Sequence, residues 1–289
     1  MTSSCAALLQ KPDKQYDVSV ENPTYQNDSP KVLYDEAHLN THRAKGTYRP
    51  FIDLITNDGC SVTTNTKEFS QEILENCDLL IICNAKSDKN LPRDVGAFTN
   101  QECEIVNSWV ESGGSLLLIA DHHPFGLANQ ALAQTFGVEM GGGSVKNKAS
   151  QSDQLVFSRT NGLLKKHPIL EGRNTKERIE KVITFTGQSL RGNEQAKSLL
   201  TLSKTATEVR PDSIWQEDGK NQIRFAKPIS VAGLSQALAI EFGAGRVVIL
   251  GEAGVLSAQK SFGRKFGMNS PDANDNKQFA LNILHWLLE

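Results

Sequence analysis

At 289 residues, with 31 basic against 33 acidic side chains and a formal net charge of −2, the chain lacks the cationic excess that nucleic acid or an anionic membrane selects. A chain of this length buries about 75% of its unfolded surface and needs no covalent staples. Its five cysteines, Cys5, Cys60, Cys77, Cys83 and Cys103, are odd in number and form no CxxC pair, which argues against a disulfide framework or a zinc ribbon.

Residues 1–30 are rich in Asn, Asp, Ser and Pro without hydrophobic period, so a disordered N-terminal arm is expected, followed by one domain over 31–289. Thr2-Ser3-Ser4-Cys5-Ala6 carries the small residues found before a lipidated bacterial cysteine. A periplasmic lipoprotein would require an apolar leader removed upstream of Cys5, and the sequence carries no targeting signal of its own. No run of about 18 apolar residues occurs, so no transmembrane segment is expected.

Lys31 to Asp35 reads as a short strand. Phe51, Leu54 and Ile55 sit at helical spacing over 50–57, with Gly59 as the stop. Ser61 to Thr64 is a second strand, and Phe69, Ile73 and Leu74 mark another helix. Asp78 to Asn84 is a continuous apolar run, of the kind buried on both faces of a parallel sheet. A polar connection covers 85–99. Asn100 is the expected N-cap of the next helix, with Glu102 and Glu104 at its positive end and Ile105, Val106, Trp109 and Val110 as its apolar stripe. Gly113-Gly114 stops it. Ser115 to Ala120 is the next buried strand and runs into Asp121-His122-His123-Pro124. Leu127 to Phe136 then reads as a helix closed by Gly137.

This βαβα alternation predicts an α/β fold, flavodoxin-like and doubly wound, with a mainly parallel sheet. From 141 to 235 the pattern is less regular. Short strands at 155–158, 182–185 and 199–202 suggest an insertion that forms a small antiparallel extension. Gln236 to Glu241 and Arg246 to Leu250 are two strands around Gly243-Ala244-Gly245. Phe262 to Pro271 reads as a polar loop able to act as a lid. Asp275 opens a final helix with Phe279, Ile283, Leu284 and Leu287 on one face.

Four of the six histidines fall in two short segments, Asp35-Glu36-Ala37-His38-Leu39-Asn40-Thr41-His42 and Asp121-His122-His123. Both follow strands, and ligands bind outside the carboxyl ends of strands in open parallel sheets. Glu252, after the strand ending at Leu250, is a third candidate. Asp121, His122 and Glu252 are the catalytic candidates. Asp35, Glu36, His38, Asn40, His42, Tyr48 and His123 are the ligand-binding candidates. Carboxylate with imidazole suits acid/base work without a metal. It equally suits a divalent ion such as zinc or manganese, for which His38, His42, Asp121 and His122 are the expected ligands; no cofactor is otherwise indicated. His122 and His123 are adjacent and point opposite ways in extended backbone. His167 before Pro168 reads as a turn residue, and His285 beside Trp286 as helix packing.

Gly113-Gly114-Ser115-Leu116-Leu117-Leu118-Ile119 resembles the strand approach to the nucleophile elbow of class I glutamine amidotransferase-like domains. Gly245-Arg246-Val247-Val248-Ile249-Leu250-Gly251 and Asn276 to Asn282 look like the end of the same superfamily. The resemblance covers roughly residues 31–289 and is nearest to a bacterial branch related to gliding-motility ABC-transporter-associated proteins. It implies the fold. It does not imply the reaction, because the elbow reads Ala120-Asp121-His122-His123-Pro124 without cysteine and no late His-x-Glu follows. No catalytic residue of that superfamily carries over. Asp121-His122-His123 also resembles the motif that names the DHH phosphoesterases, but Asp35-Glu36-Ala37-His38 matches their early motif poorly.

Three functions are therefore expected in order. The first is a non-amidotransferase member of the superfamily that binds a small polar or sugar-like ligand at the strand ends. The second is a hydrolase, metal-dependent or not, built on Glu36/His38 and Asp121/His122. The third is a transport-associated partner-binding protein.

Overall fold

A computed structural model describes residues 10–86, 95–149, 154–217, 220–273 and 275–289. Cys5 and part of the 85–99 connection lie outside the described residues. Among the described residues, nine strands form the main sheet. In chain order they are β1 (Lys31–Asp35), β2 (Ser61–Asn65), β3 (Leu79–Cys83), β4 (Ser115–Ile119), β5 (Val138–Met140), β6 (Leu190–Gly192), β7 (Lys197–Thr201), β8 (Ser235–Phe242) and β9 (Gly245–Leu250). The spatial order is β2-β1-β3-β4-β9-β8-β6-β5, with β7 also paired to β8. From β2 to β9 every pairing is parallel. From β9 onward every pairing is antiparallel. This is the doubly wound, flavodoxin-like order with an antiparallel extension.

Alternation on the central strands divides the core in two. Leu79, Ile81 and Cys83 of β3 and Leu117 and Ile119 of β4 join one apolar cluster with Phe51, Leu54 and Ile55 of α1 (Arg49–Asn57). Leu80 and Ile82, with Leu116 and Leu118, join the other, against Val106 and Val110 of α2 (Asn100–Glu111) and Leu132 of α3 (Phe125–Thr135). The last helix, α4 (Asn276–Leu287), returns to the first face with Phe279 and Ile283. Each fully buried aliphatic side chain contributes about 1.5–3 kcal/mol relative to exposure, so these strands, buried on both faces, anchor the domain.

Local signals act as expected at most boundaries. Gly59 has φ +106, and a Cβ there would sit 2.0 Å from the Tyr25 carbonyl oxygen, so the stop after α1 accepts only glycine. The start of α2 differs by one residue. Thr99 is the N-cap, and it forms a capping box with Glu102, leaving Asn100 as the first helical residue.

Two expectations are corrected. Residues 10–30, read as a disordered arm, lie along the domain as a strap. Lys11–Pro12 pairs with Ala258–Ser261, and Asp13, 2% exposed, meets Lys260 Nζ at 2.7 Å and Asn269 Nδ2 at 3.0 Å. Lys277 Nζ donates to the carbonyls of Asp17 and Ser19, and the Thr24 N–H donates to Asp58 Oδ1. Polar side chains here serve as anchors, which composition alone misreads as solvation. The loop expected over 262–271 is instead largely a hairpin, Ala258–Ser261 with Arg264–Gly267, turning at Phe262 and Gly263.

Among the described residues no helix is long and apolar enough to cross a membrane.

Candidate functional site

The parallel strands end level with one another. Cys83 of β3 is in register with Ile119 of β4, which is in register with Leu250 of β9. The residues just beyond, Asn84, Asp121 and Glu252, therefore emerge at one edge, with Asp35 at the end of β1. The two acid-and-histidine segments both reach this edge: Asp35 and His38 form one node, and Asp121 and His122, with His42 of the first segment beside them, form another.

The first node is closed. His38 Nδ1 lies 2.9 Å from Asp35 Oδ2, and its Nε2 lies 2.8 Å from Glu102 Oε1. Asn40 holds Asp35 through Nδ2 at 3.0 Å and accepts the His38 N–H at 3.1 Å. The imidazole is packed between Phe69 and Phe98, with ring centroids at 4.7 and 4.6 Å. Burial disfavours its charge, but Asp35 and Glu102 outweigh that and raise its pKa. Glu102 is held low against its own burial by the N–H groups of Thr99 and Phe69 and by His38. An imidazole held between two carboxylates, with both ring nitrogens engaged, is tied into the core of the domain. Glu36 accepts the Ala44 N–H at 2.9 Å and faces Arg43.

The second node is open. Asp121 Oδ1 accepts both the backbone N–H and Nδ1 of His122, each at 2.7 Å. The His122 side chain is 33% exposed, and its Nε2 makes no hydrogen bond to the described residues. The Asp121 carboxylate is the main cause that pushes the His122 pKa up to about 9, so the ring is an imidazolium at neutral pH. Asp121 is lowered in turn, with the His122 charge overcoming burial. Behind this pair lies Glu252, 2% exposed, whose oxygens accept the N–H groups of Gly254 and Val255 at 2.7 Å each. Burial first, and Asp121 second, push Glu252 up to about 8 against the pull of those donors. His42 is pushed down to about 4 by burial and is neutral; its Nδ1 meets Thr47 Oγ1 at 2.6 Å and its ring packs on Tyr48 at 4.9 Å. Tyr48 donates its hydroxyl to the Ala253 carbonyl at 2.6 Å, tying the 36–48 loop to the Glu252 turn.

Two residues not singled out from the sequence set this node. Asn84, at φ +49, accepts the Asp121 N–H on Oδ1 at 2.8 Å. Its signal was its place, an Asn directly after a buried strand, where the left-handed region is tolerated. Gln188, fully buried, donates Nε2 to the carbonyls of Ala120 and Asp121 at 2.7 and 3.1 Å and accepts the Gly142 N–H at 2.7 Å. Nothing local in the sequence marks it, because its partners lie 46 to 68 positions away. His123 faces elsewhere, edge-on to Phe225 at 6.4 Å.

The expected joint metal set of His38, His42, Asp121 and His122 is not assembled. Both His38 ring nitrogens are engaged by carboxylates, and among the described residues no three His, Cys, Asp or Glu side chains group as cation ligands. Cys83, at the end of β3, is buried with its thiol raised well above the ordinary value, so it supplies no thiolate to this edge. His167 caps a short helical turn by accepting the Ile169 N–H, and His285 pairs with Asp58 at 2.7 Å, both in structural roles.

No known family model matches the chain. No curated protein matches it either. Solved structures do resemble it. The mmIFT52 N-terminal domain superposes with a TM-score of 0.62 at 12% identity, covering 89% of this chain and 96% of that one. A ThuA-like protein from Bacteroides uniformis gives 0.47 at 13% identity, covering 92% and 94%. A GMP synthase protein from Thermoplasma acidophilum gives 0.45 at 9% identity, covering 90% and 94%. The first likeness agrees with the fold described above, and at such identities nothing further follows.

Proposed function

We propose that the chain binds a small polar ligand at the carboxyl ends of its parallel strands, with His122 as the principal donor. One observation carries this reading: Asp121 fixes the His122 ring through Nδ1, and among the described residues nothing bonds Nε2–H of the part-exposed imidazolium. A fixed cationic donor at a strand edge recognises a hydrogen-bond acceptor, such as a sugar hydroxyl, a carboxylate or a phosphate oxygen. The Asp121 carboxylate offsets the His122 charge and His42 behind it is neutral, so the node carries little net positive charge, which favours neutral polar and sugar-like ligands over multiply charged ones.

The test is a thermal-shift panel of monosaccharides, sugar acids and inorganic phosphate, followed by NMR of the His122 ring. One class should raise the melting temperature of the wild type and move the His122 resonances, and His122→Gln should lose both effects. A panel that leaves wild type and variant alike would reject the reading.

A second reading, a hydrolase, draws support from the same Asp121–His122 pair, since a carboxylate orienting an imidazole is half of a general-base arrangement. An imidazole with a pKa of about 9 is a poor base at neutral pH, so this reading calls for activity rising toward alkaline pH. A metal-assisted form would rest on Asp121 and His122 without His38. Kinship with the gliding-motility-associated branch, and a transport-associated partner role, rest on the sequence resemblance alone.

A further inference from the structure

The main sheet has two edges of opposite character. At one, β5 is three residues long and places Glu139 at its centre, with Arg191 3.5 Å away. Short length and charge are the usual guards against pairing with another chain. At the other, β2 has five residues, Ser-Val-Thr-Thr-Asn, without charge, proline or bulge. Ser61, Thr63 and Thr64 are exposed and Val62 is half-buried.

The hydrogen bonding of β2 is one-sided. Ser61 donates its N–H to the Pro30 carbonyl, and the Asn65 carbonyl accepts from Glu36. In a parallel ladder a residue directs both its N–H and its C=O to the same neighbour, and the direction alternates. Ser61, Thr63 and Asn65 therefore face β1. The N–H and C=O groups of Val62 and Thr64 face outward, where no described strand pairs with them.

We infer that this edge is a self-association surface, on which a second copy of the chain pairs its own β2 antiparallel across a two-fold axis at Thr63. In that register Val62 meets Thr64 of the other copy and Thr64 meets its Val62, which closes four backbone hydrogen bonds. The two Thr63 side chains then face each other as a non-hydrogen-bonded pair, an arrangement in which threonines pack well. The segment is uncharged and β-branched, so it meets its own copy with no like charge opposed. Directly after the strand, a groove of about 590 Å³ lined by Lys67, Phe69, Thr99 and Ile105 offers further surface beside the seam. A five-residue seam spans about 17 Å and by itself falls short of the usual area of a permanent interface, so the dimer is a concentration-dependent one.

Sedimentation velocity of the full chain over about 5 to 500 µM, a range set to bracket a weak interface of this size, tests it. The wild type should shift from monomer toward dimer with concentration. Thr63→Lys and Thr63→Glu, both at an exposed position, should each stay monomeric, because the two-fold axis sets like charges against each other. An equimolar mixture of the two variants should dimerise again. A wild type that is monomeric throughout, or single variants that dimerise as the wild type does, overturns the inference. A mixture that stays monomeric overturns the two-fold register. Val62→Pro removes an outward N–H without touching the β1 ladder and should also abolish the dimer, with circular dichroism checking that the fold is kept.

Discussion

Asn84 lends its side-chain oxygen to the backbone N–H of Asp121, so the end of one central strand fixes the first residue beyond its neighbour. The Asn84 backbone is itself in the left-handed region at φ +49 and accepts the Thr41 N–H on its carbonyl. Three loops at the strand edge thus meet on a single buried residue.

Asn84→Ala is expected to destabilise the domain by about 2–4 kcal/mol, because a left-handed alanine is strained by about 1 kcal/mol and a buried N–H is left unpaired at about 1–3 kcal/mol. Asn84→Gly relieves only the first cost and should fall between alanine and wild type. Urea unfolding of the three proteins gives the order, and an alanine variant as stable as the wild type would remove Asn84 from this role.

Stability should fall as pH rises from about 6.5 to 9, above the range in which the depressed His42 and His167, each near 4, oppose the decline. The folded pKa of His122, about 9, lies above its ordinary value, so its contribution is complete below about 6.5 and is lost as pH rises through 9. The folded pKa of Glu252, about 8, is also raised, and its contribution is complete below about 4.3 and lost as pH rises through 8. Urea unfolding at a series of pH values should show the decline, and Glu252→Gln should flatten it between about pH 6.5 and 8. A wild type that gains stability across pH 6 to 9 would contradict both shifts.

His38→Ala would leave Asp35 and Glu102 facing each other across a buried gap, at a cost of about 3–5 kcal/mol. The same position bears on metal binding. Elemental analysis of protein purified without an affinity tag should give the same zinc and manganese content in wild type and in His38→Gln, since neither His38 nitrogen is available to an ion. Stoichiometric metal that disappears in His38→Gln would restore a joint site.

Gly126 lies in the first turn of α3, where alanine would ordinarily stabilise a helix by up to about 1 kcal/mol. Here a Cβ would sit 2.2 Å from Gln188 Oε1 and 2.7 Å from its Cδ. Gly126→Ala is therefore expected to destabilise and to shift the NMR signals of His122, because Gln188 holds the Asp121 carbonyl. Gln188→Ala is harmful alone but should cancel part of the Gly126→Ala cost in the double variant. Strict additivity of the two would show that they do not meet.

The parallel half of the fold was legible because its signals are local. Leu79 to Cys83 and Ser115 to Ile119 are apolar on both faces, and the breaks between them are glycines or capping residues. The Asp121–His122 pair was legible for the same reason, as adjacent residues after such a strand. His38 was misread because its second partner, Glu102, lies 64 positions away and reads locally as a helix-start residue. The strap was misread because Asp13, Asp17 and Thr24 look solvated until the distant groups they bind are known. Sequence period reports which face is apolar, and it is silent on which polar groups meet.

The strap joins residues at opposite ends of the polypeptide: Asp13 meets Asn269 across 256 positions and Thr24 meets His285 across 261. Contacts of such separation repay their loop-closure entropy only after the intervening chain has collapsed. The belt should therefore fasten after the rate-limiting step of folding. Loosening it, at Asp13 or Lys277 for instance, should hasten unfolding while leaving the refolding rate nearly untouched. Its contribution is then to the lifetime of the native state, and the sheet assembles without it.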